Sequence, residues 1–297
     1  MSLRAWSSVA VTAAVVVVLG AAVRATGDPA VAPACSPPPA GDHWITVEDA
    51  RAPVLLHVPP GAPARPRTLI LVLPGAGMTG QSMADYTGYS KLADLRGFLV
   101  AYPTASGTTP FWNVSGTLPG KPDDVAYLRD VITTLTGPDG CADRVHVGVT
   151  GVSNGGGMSA RLACDAADLL AAAAPVAGGY STLPRCTPRR PLPILEIHGL
   201  RDEVVPYLGR APDGAGAVGS FVGAWRRRDA CRGPAKRSTP APNVQEMRWT
   251  CAAGRVIVHD RVVDAEHGWP GEASLQPFSS TLRTWRFLSA FSDEMQR

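Results

Sequence analysis

The sequence predicts an α/β domain whose central sheet is mostly parallel and flanked by helices. Three observations predict it. Thr68-Leu69-Ile70-Leu71-Val72-Leu73 is an unbroken apolar run, as a strand buried on both faces of a parallel sheet requires. Comparable short runs alternate along the chain with segments of helical period, which is the order that builds parallel pairing. The run Val145-His146-Val147-Gly148-Val149 also passes through Gly151-Val152-Ser153-Asn154-Gly155 into Met158-Ser159-Ala160-Arg161-Leu162-Ala163, a strand, a sharp turn and a helix with no linker.

The elements follow in order. Arg4 precedes an apolar stretch from Val9 to Val23, and small residues around Ala25 offer a cleavage point, so residues 1–25 read as a secretory signal peptide. The apolar run of about 15 residues is short of the roughly 20 that a membrane span needs. Residues 26–42, rich in Pro, Ala and Gly, read as an extended lead-in, and 43–297 as one domain without repeats or an appended module. Within it, strands are expected at Ile45–Val47, Val54–Val58, Thr68–Leu73, Phe98–Tyr102, Val145–Val149, Ala171–Val176, Pro193–His198, Glu246–Trp249 and Val256–His259. Helices are expected around Gly88–Leu95, then at Asp124–Leu135, where Val125, Leu128, Val131, Ile132 and Leu135 share one face. Further helices are expected from the Ser153 turn to about Ala167, over 218–230, and from Ser279 to Phe291.

Composition narrows the function classes. With 45% hydrophobic and 18% charged residues the chain is ordinary for a globular protein. Loss of residues 1–25 removes Arg4 and Arg24 and lowers the net charge from +3 to +1. A nearly neutral chain gives no electrostatic case for nucleic acid or an anionic membrane, and after cleavage no segment is expected to remain inserted in one. Oligomeric state is not legible. Six cysteines in an exported chain imply three disulfides, for which sequence allows 15 pairings. Locality favours Cys164 with Cys186 and Cys231 with Cys251, leaving Cys35 with Cys141. No C-x-x-C pair or His/Cys cluster has zinc spacing, so no metal is expected, and the serine chemistry read below needs no cofactor.

Gly151-Val152-Ser153-Asn154-Gly155 carries the chemistry. G-x-S-x-G between a strand and a helix is a nucleophile elbow, in which small neighbours let a sharp turn lift the serine hydroxyl clear of the sheet. A hydroxyl is a weak nucleophile and needs a base, with a carboxylate to hold that base. Downstream histidines are His198, His259 and His267. His259 falls inside an alternating strand and reads as half-buried structure, whereas His267 lies in a loop past that strand, where a base should project. Asp202, just past the strand ending at His198, is a candidate acid; Glu203 is its immediate rival, with Asp229, Asp260 and Asp264 more remote.

Several linked motifs then make a specific resemblance. Tyr102-Pro103, Trp112-Asn113, Asp123-Asp124-Val125-Ala126-Tyr127-Leu128, the segment Val149–Met158, Ala174-Pro175-Val176-Ala177-Gly178, His198-Gly199-Leu200-Arg201-Asp202 through Tyr207, and His267-Gly268-Trp269-Pro270-Gly271 occur in order across residues 45–290. The ensemble resembles the secreted polyhydroxybutyrate depolymerase and feruloyl esterase group of the α/β-hydrolase superfamily. That resemblance implies an α/β-hydrolase fold with Ser153 as nucleophile, Asp202 as acid and His267 as base. It departs from the group's pattern at Pro74-Gly75, where His-Gly is usual; proline has no N–H, so the Ala76 amide is the expected oxyanion donor beside that of Asn154. It departs again at Ala265-Glu266, in place of glycines, where Glu266 would narrow the mouth or disfavour anionic substrates.

The expected activity is a secreted serine carboxylesterase acting on small or oligomeric esters of hydroxybutyrate type, with Trp112 and Trp269 as apolar walls for the acyl group. Feruloyl or acetylxylan ester hydrolysis is the alternative within that class. Outside it stand acyl transfer, as in the secreted mycoloyltransferases of the same fold, and a catalytically silent cell-wall binding protein.

Overall fold

The computed structural model describes residues 38–47, 51–61, 67–137, 140–210, 216–271 and 278–291. The signal-peptide segment, Cys35 and most of the lead-in lie outside the described residues. Among the described residues, ten strands form one sheet: β1 (Gly41–Ile45), β2 (Val54–Val58), β3 (Arg67–Leu73), β4 (Leu99–Tyr102), β5 (Ala142–Val152), β6 (Ala172–Val176), β7 (Ile194–Gly199), β8 (Lys236–Ala241), β9 (Val244–Thr250) and β10 (Val256–Val262), in the order β1-β2-β4-β3-β5-β6-β7-β10-β9-β8. The six central strands pair in parallel, and antiparallel strands extend the sheet at either end.

The unbroken apolar run of β3 is explained by burial on both sides. Leu69, Leu71 and Leu73 enter one core with α3 (Asp124–Thr136), α4 (Asn154–Asp165) and α5 (Val218–Arg228), through Leu128, Met158 and Trp225. Ile70 and Val72 enter a second core with α1 (Gly80–Thr87), α2 (Tyr89–Arg96) and α6 (Ser280–Ala290), through Met83, Tyr89 and Leu288. Each helix stripe thus covers a sheet face that water would otherwise wet.

Three elements differ from expectation. The first strand is Gly41–Ile45 rather than Ile45–Val47; it is an edge strand whose alternating half-exposed pattern disguises it, and Trp44 faces solvent. Consequently Gly41 and Asp42, read as lead-in, pair with Val58 and His57. Helix α1 has no apolar period to announce it and starts instead on a capping box between Thr79 and Ser82. Strand β8, Lys-Arg-Ser-Thr-Pro-Ala, is exposed along most of its length and pairs only with β9, so hydrophobicity gives no sign of it.

Disulfides join Cys164 to Cys186 and Cys231 to Cys251, the two local pairings expected. Among the described residues, no helix is long and apolar enough to cross a membrane.

Candidate active site

Ser153, Asp202 and His267 lie beyond the carboxyl ends of β5, β7 and β10, the edge of a parallel sheet where ligands are met. Ser153 has φ 57° and ψ −118°, a left-handed backbone costing on the order of 1–3 kcal/mol for a residue with a Cβ. Its amide donates to Val176 O at 3.0 Å and its carbonyl accepts from Gly157 N–H at 2.9 Å, so the turn is pinned from both sides. The glycines of the motif serve close approach. A Cβ on Gly155 would stand 2.1 Å from Leu73 O, and one on Gly151 2.6 Å from Gly155 O.

His267 Nε2 lies 2.9 Å from Ser153 Oγ, and its Nδ1 lies 2.8 Å from Asp202 Oδ2. The Asp202 side chain is fully buried and that of His267 about one-fifth exposed. Asp202 Oδ1 accepts the amides of Val204 and Val205 at 3.0 and 2.7 Å. Burial by itself would raise the Asp202 carboxyl. Hydrogen bonds from His198, His267 and the Val205 amide outweigh it and hold the group well below the usual carboxylate range. The Asp202 and His267 loops are also laced together, by Arg201 N–H to Ala265 O at 3.0 Å and Leu200 N–H to Val262 O at 2.9 Å.

The rival acids go elsewhere. Glu203 is exposed, Asp229 is buried after α5, Asp260 pairs with Arg283, and Asp264 accepts from Asn243. His259, expected to be half-buried, is fully buried, with Nδ1 2.7 Å from Glu196 Oε2.

Ala76 and Asn154, the two expected oxyanion donors, lie in the turn after β3 and at the start of α4. Ala76 is exposed in the turn after β3, where Gly77 N–H is already taken by Pro110 O at 2.8 Å. Asn154 is the first residue of α4, whose opening amides have no intrahelical acceptor. Its side chain grips the backbone of Trp112, accepting from the Trp112 amide at 2.7 Å and donating to the Trp112 carbonyl at 3.1 Å.

The two tryptophans, expected as substrate walls, differ in placement: Trp112 is buried, whereas Trp269, also largely buried, lines a cavity together with Tyr86, Glu266 and His267. Trp112 is 1% exposed, with Nε1–H donating to Pro74 O at 3.0 Å. Trp269 is 4% exposed; its Nε1–H donates to Thr281 Oγ1 and its amide to Tyr86 Oη, both at 2.9 Å. Each ring is an anchor beneath a loop. Asp124, part of the Asp-Asp motif, accepts Asn113 N–H at 2.6 Å and pairs with Arg51, which orders the same loop behind Trp112.

Sequence reasoning missed the groups beneath Asp202. His198 Nε2 lies 3.2 Å from Asp202 Oδ2, and its Nδ1 lies 3.0 Å from Glu196 Oε1, all three side chains being fully buried. The available signal was a glutamate and a histidine two apart in the apolar strand Ile194-Leu195-Glu196-Ile197-His198, hence on one face.

No family model matches the chain. It is 33% identical over 243 residues to "Putative esterase NocK" of Nocardia uniformis subsp. tsuyamanensis, covering 73% of this chain and 70% of that protein. It is 36% identical over 159 residues to feruloyl esterase B of Piromyces equi, spanning 48% of this chain and only 28% of that relative's length. Among solved structures, acetyl xylan esterase from Aspergillus awamori superposes with a TM-score of 0.65 over 84% of this chain and 99% of that one, at 16% identity, a likeness of fold. Identity to NocK across most of both chains, on a mostly parallel sheet with a strained serine elbow, places this chain in the esterase family of α/β-hydrolases, as a carboxylic ester hydrolase.

Proposed function

We propose that Ser153 is the nucleophile, His267 the base and Asp202 the acid of an exported serine esterase that works through an acyl-enzyme. The observation that carries this reading is the continuous line Ser153 Oγ, His267 Nε2, His267 Nδ1, Asp202 Oδ2, with contacts of 2.9 and 2.8 Å. With Nδ1–H directed at Asp202, Nε2 is free to take the Ser153 proton as Oγ attacks the ester carbonyl. The imidazolium then gives that proton to the leaving alcohol, and water attacks the acyl group by the same route in reverse. The amides of Ala76 and Asn154 hold the oxyanion. Trp112 braces both, the turn carrying Ala76 through an indole bond to Pro74 O and Asn154 through its backbone.

The substrate class we favour is a short acyl or hydroxycinnamoyl ester borne on a carbohydrate, above a hydroxybutyrate oligomer. The names of the relatives support it: feruloyl esterase B, and the bifunctional acetylxylan esterase/xylanase XynS20E of Neocallimastix patriciarum at 26% identity over 223 residues. The apolar run of residues 9–23 and the two disulfides support export.

An ester panel of methyl ferulate, acetylated xylan and hydroxybutyrate trimer, run with Ser153→Ala as blank, tests both parts. The expected result is turnover of a ferulate or acetyl ester that is abolished in the variant. Turnover confined to the hydroxybutyrate trimer would overturn the substrate class, and activity surviving in Ser153→Ala would overturn the mechanism.

A further inference from the structure

A chain of buried polar side chains continues inward from Asp202, and the proposed reaction does not use it. His198 bridges Asp202 and Glu196. Glu196 Oε1 also accepts the Tyr180 hydroxyl at 3.0 Å, while Oε2 lies 2.7 Å from His259 Nδ1; His259 Nε2 in turn lies 2.8 Å from Tyr207 Oη. Glu196, His198 and Asp260 are 0% exposed and His259 is 1% exposed, so bulk solvent reaches none of them.

The partners of His198 settle its protonation by hydrogen-bond accounting. Nε2 faces Val205 O at 2.9 Å and Asp202 Oδ2 at 3.2 Å, and Nδ1 faces Glu196 Oε1 at 3.0 Å. A carbonyl accepts only, and an ionised carboxylate accepts only, so both ring nitrogens must carry protons. Glu196 Oε1 accepts the Tyr180 hydroxyl and faces His198 Nδ1, and its Oε2 faces His259 Nδ1 at 2.7 Å; a proton shared between a carboxyl and an imidazole sits on the imidazole, the more basic group, so Glu196 is an ionised carboxylate. His259 needs one proton, because the Tyr207 hydroxyl can donate to its Nε2.

We propose that His198 is a positioning residue: a permanent buried imidazolium, clamped between Glu196 and Asp202, that shares the Asp202 carboxylate with His267 and so sets the pH at which His267 becomes a working base. This rests on the reading of His267 and Asp202 as base and acid. Asp202 Oδ2 receives both imidazoles, and with Oδ1 tied to two amides the carboxylate can turn toward neither. A second cation on the same oxygen competes for the negative charge that would otherwise favour the His267 imidazolium. The charged and titratable groups packed about His198 are Glu196 on its own strand, His259 and Arg261 on β10, Asp202 and His267 on the loops, and Tyr180 and Tyr207 across the face. The Arg261 guanidinium lies over the Tyr207 ring, and Asp260 is paired with Arg283. Burial pulls the His198 imidazolium down, yet its bonds to Asp202 and Glu196 push it up to about 10. The same donors bring the buried Glu196 down to about 2.

Two measurements test this. In histidine-labelled Ser153→Ala protein, nitrogen NMR should show one imidazole, lost in His198→Gln, that stays doubly protonated from pH 5 to 8.5; a His198 ring that titrates or is singly protonated in that range overturns the proposal. This readout needs no activity, so it stands apart from the esterase assignment. In otherwise native enzyme, His198→Gln keeps a neutral donor near Asp202 and removes the cation. The acid limb of kcat/KM should move up by at least about half a pH unit. A purely structural role would lower the active fraction at every pH and leave the limb in place, and that outcome would also overturn the proposal. Loss of activity in Ser153→Ala is judged separately, and its absence would strike the parent reading alone.

Discussion

The Trp112 indole donates to the Pro74 carbonyl at 3.0 Å, which ties the loop after β4 to the turn that carries Ala76. The Trp112 amide and carbonyl also hold Asn154. One residue therefore sets the separation of the two proposed oxyanion amides. Trp112→Phe keeps most of the packed ring and removes the donor. Steady-state kinetics should show kcat lower by about ten-fold with little change in KM, the pattern of an interaction made chiefly in the transition state.

Ser153→Ala and His267→Ala should each cut kcat on an activated ester by about 10⁶-fold, and Asp202→Asn by about 10⁴-fold, while circular dichroism stays unchanged. Glu203→Gln should be near neutral, since Glu203 is exposed while both Asp202 oxygens are occupied. A reversal of the last two would move the acid to Glu203.

Gly155→Ala should abolish soluble expression or cost more than about 3 kcal/mol by urea titration. Its Cβ would stand 2.1 Å from Leu73 O and 2.4 Å from Pro74 O, both backbone atoms that cannot swing aside.

Asp229 is buried at the end of α5, and burial raises its carboxyl to about 7 despite the Leu192 amide, Arg228 and Arg255. A group whose folded value lies above its unfolded value loses stability as pH rises through that window, here from about 4 to about 7. Asp229→Asn should therefore raise the urea midpoint at pH 8 and leave it nearly unchanged at pH 4. A gain of equal size at both pH values would separate the effect from ionisation.

Phe111 and Tyr86 are each 39% exposed and stand beside the residues that hold the site, Trp112 and Trp269. Phe111→Ala should raise KM for methyl ferulate several-fold more than for methyl acetate, because only the aryl group needs a flat wall. Trp269→Ala, by contrast, should lower thermal stability and reduce kcat on both esters alike.

What the sequence conveyed about the site depended on geometry that repeats along it. Ser153, Asp202 and His267 each follow a strand of readable hydrophobicity, so order and loop position bring them to one edge of the sheet. Side-chain direction is a different matter. Trp112 and Trp269 adjoin positions proposed as functional, yet a buried indole N–H needs an acceptor, and Pro74 O and Thr281 Oγ1 supply one to each. The partnership of Glu196, His198 and Asp202 with His259 joins two segments distant in sequence, and only β7 pairing with β10 brings them together. Strand β8 and helix α1 escaped notice because β8 is exposed against a single neighbouring strand, and the buried stripe of α1, Gly80, Met83, Ala84 and Thr87, holds only two clearly apolar side chains.

That outer strand has a consequence for the behaviour of the protein in concentrated solution. A flat sheet of ten strands would end in a row of open amides and carbonyls ready to recruit another chain. Here the margin reads Lys236-Arg237-Ser238-Thr239-Pro240-Ala241, with two cations, a proline that offers no amide and a register break between Ser238 and Ala241. Like charges meet when two such margins approach, and the broken ladder denies them a continuous template. The least apolar strand of the sheet is thus its guard against fibrillar self-association.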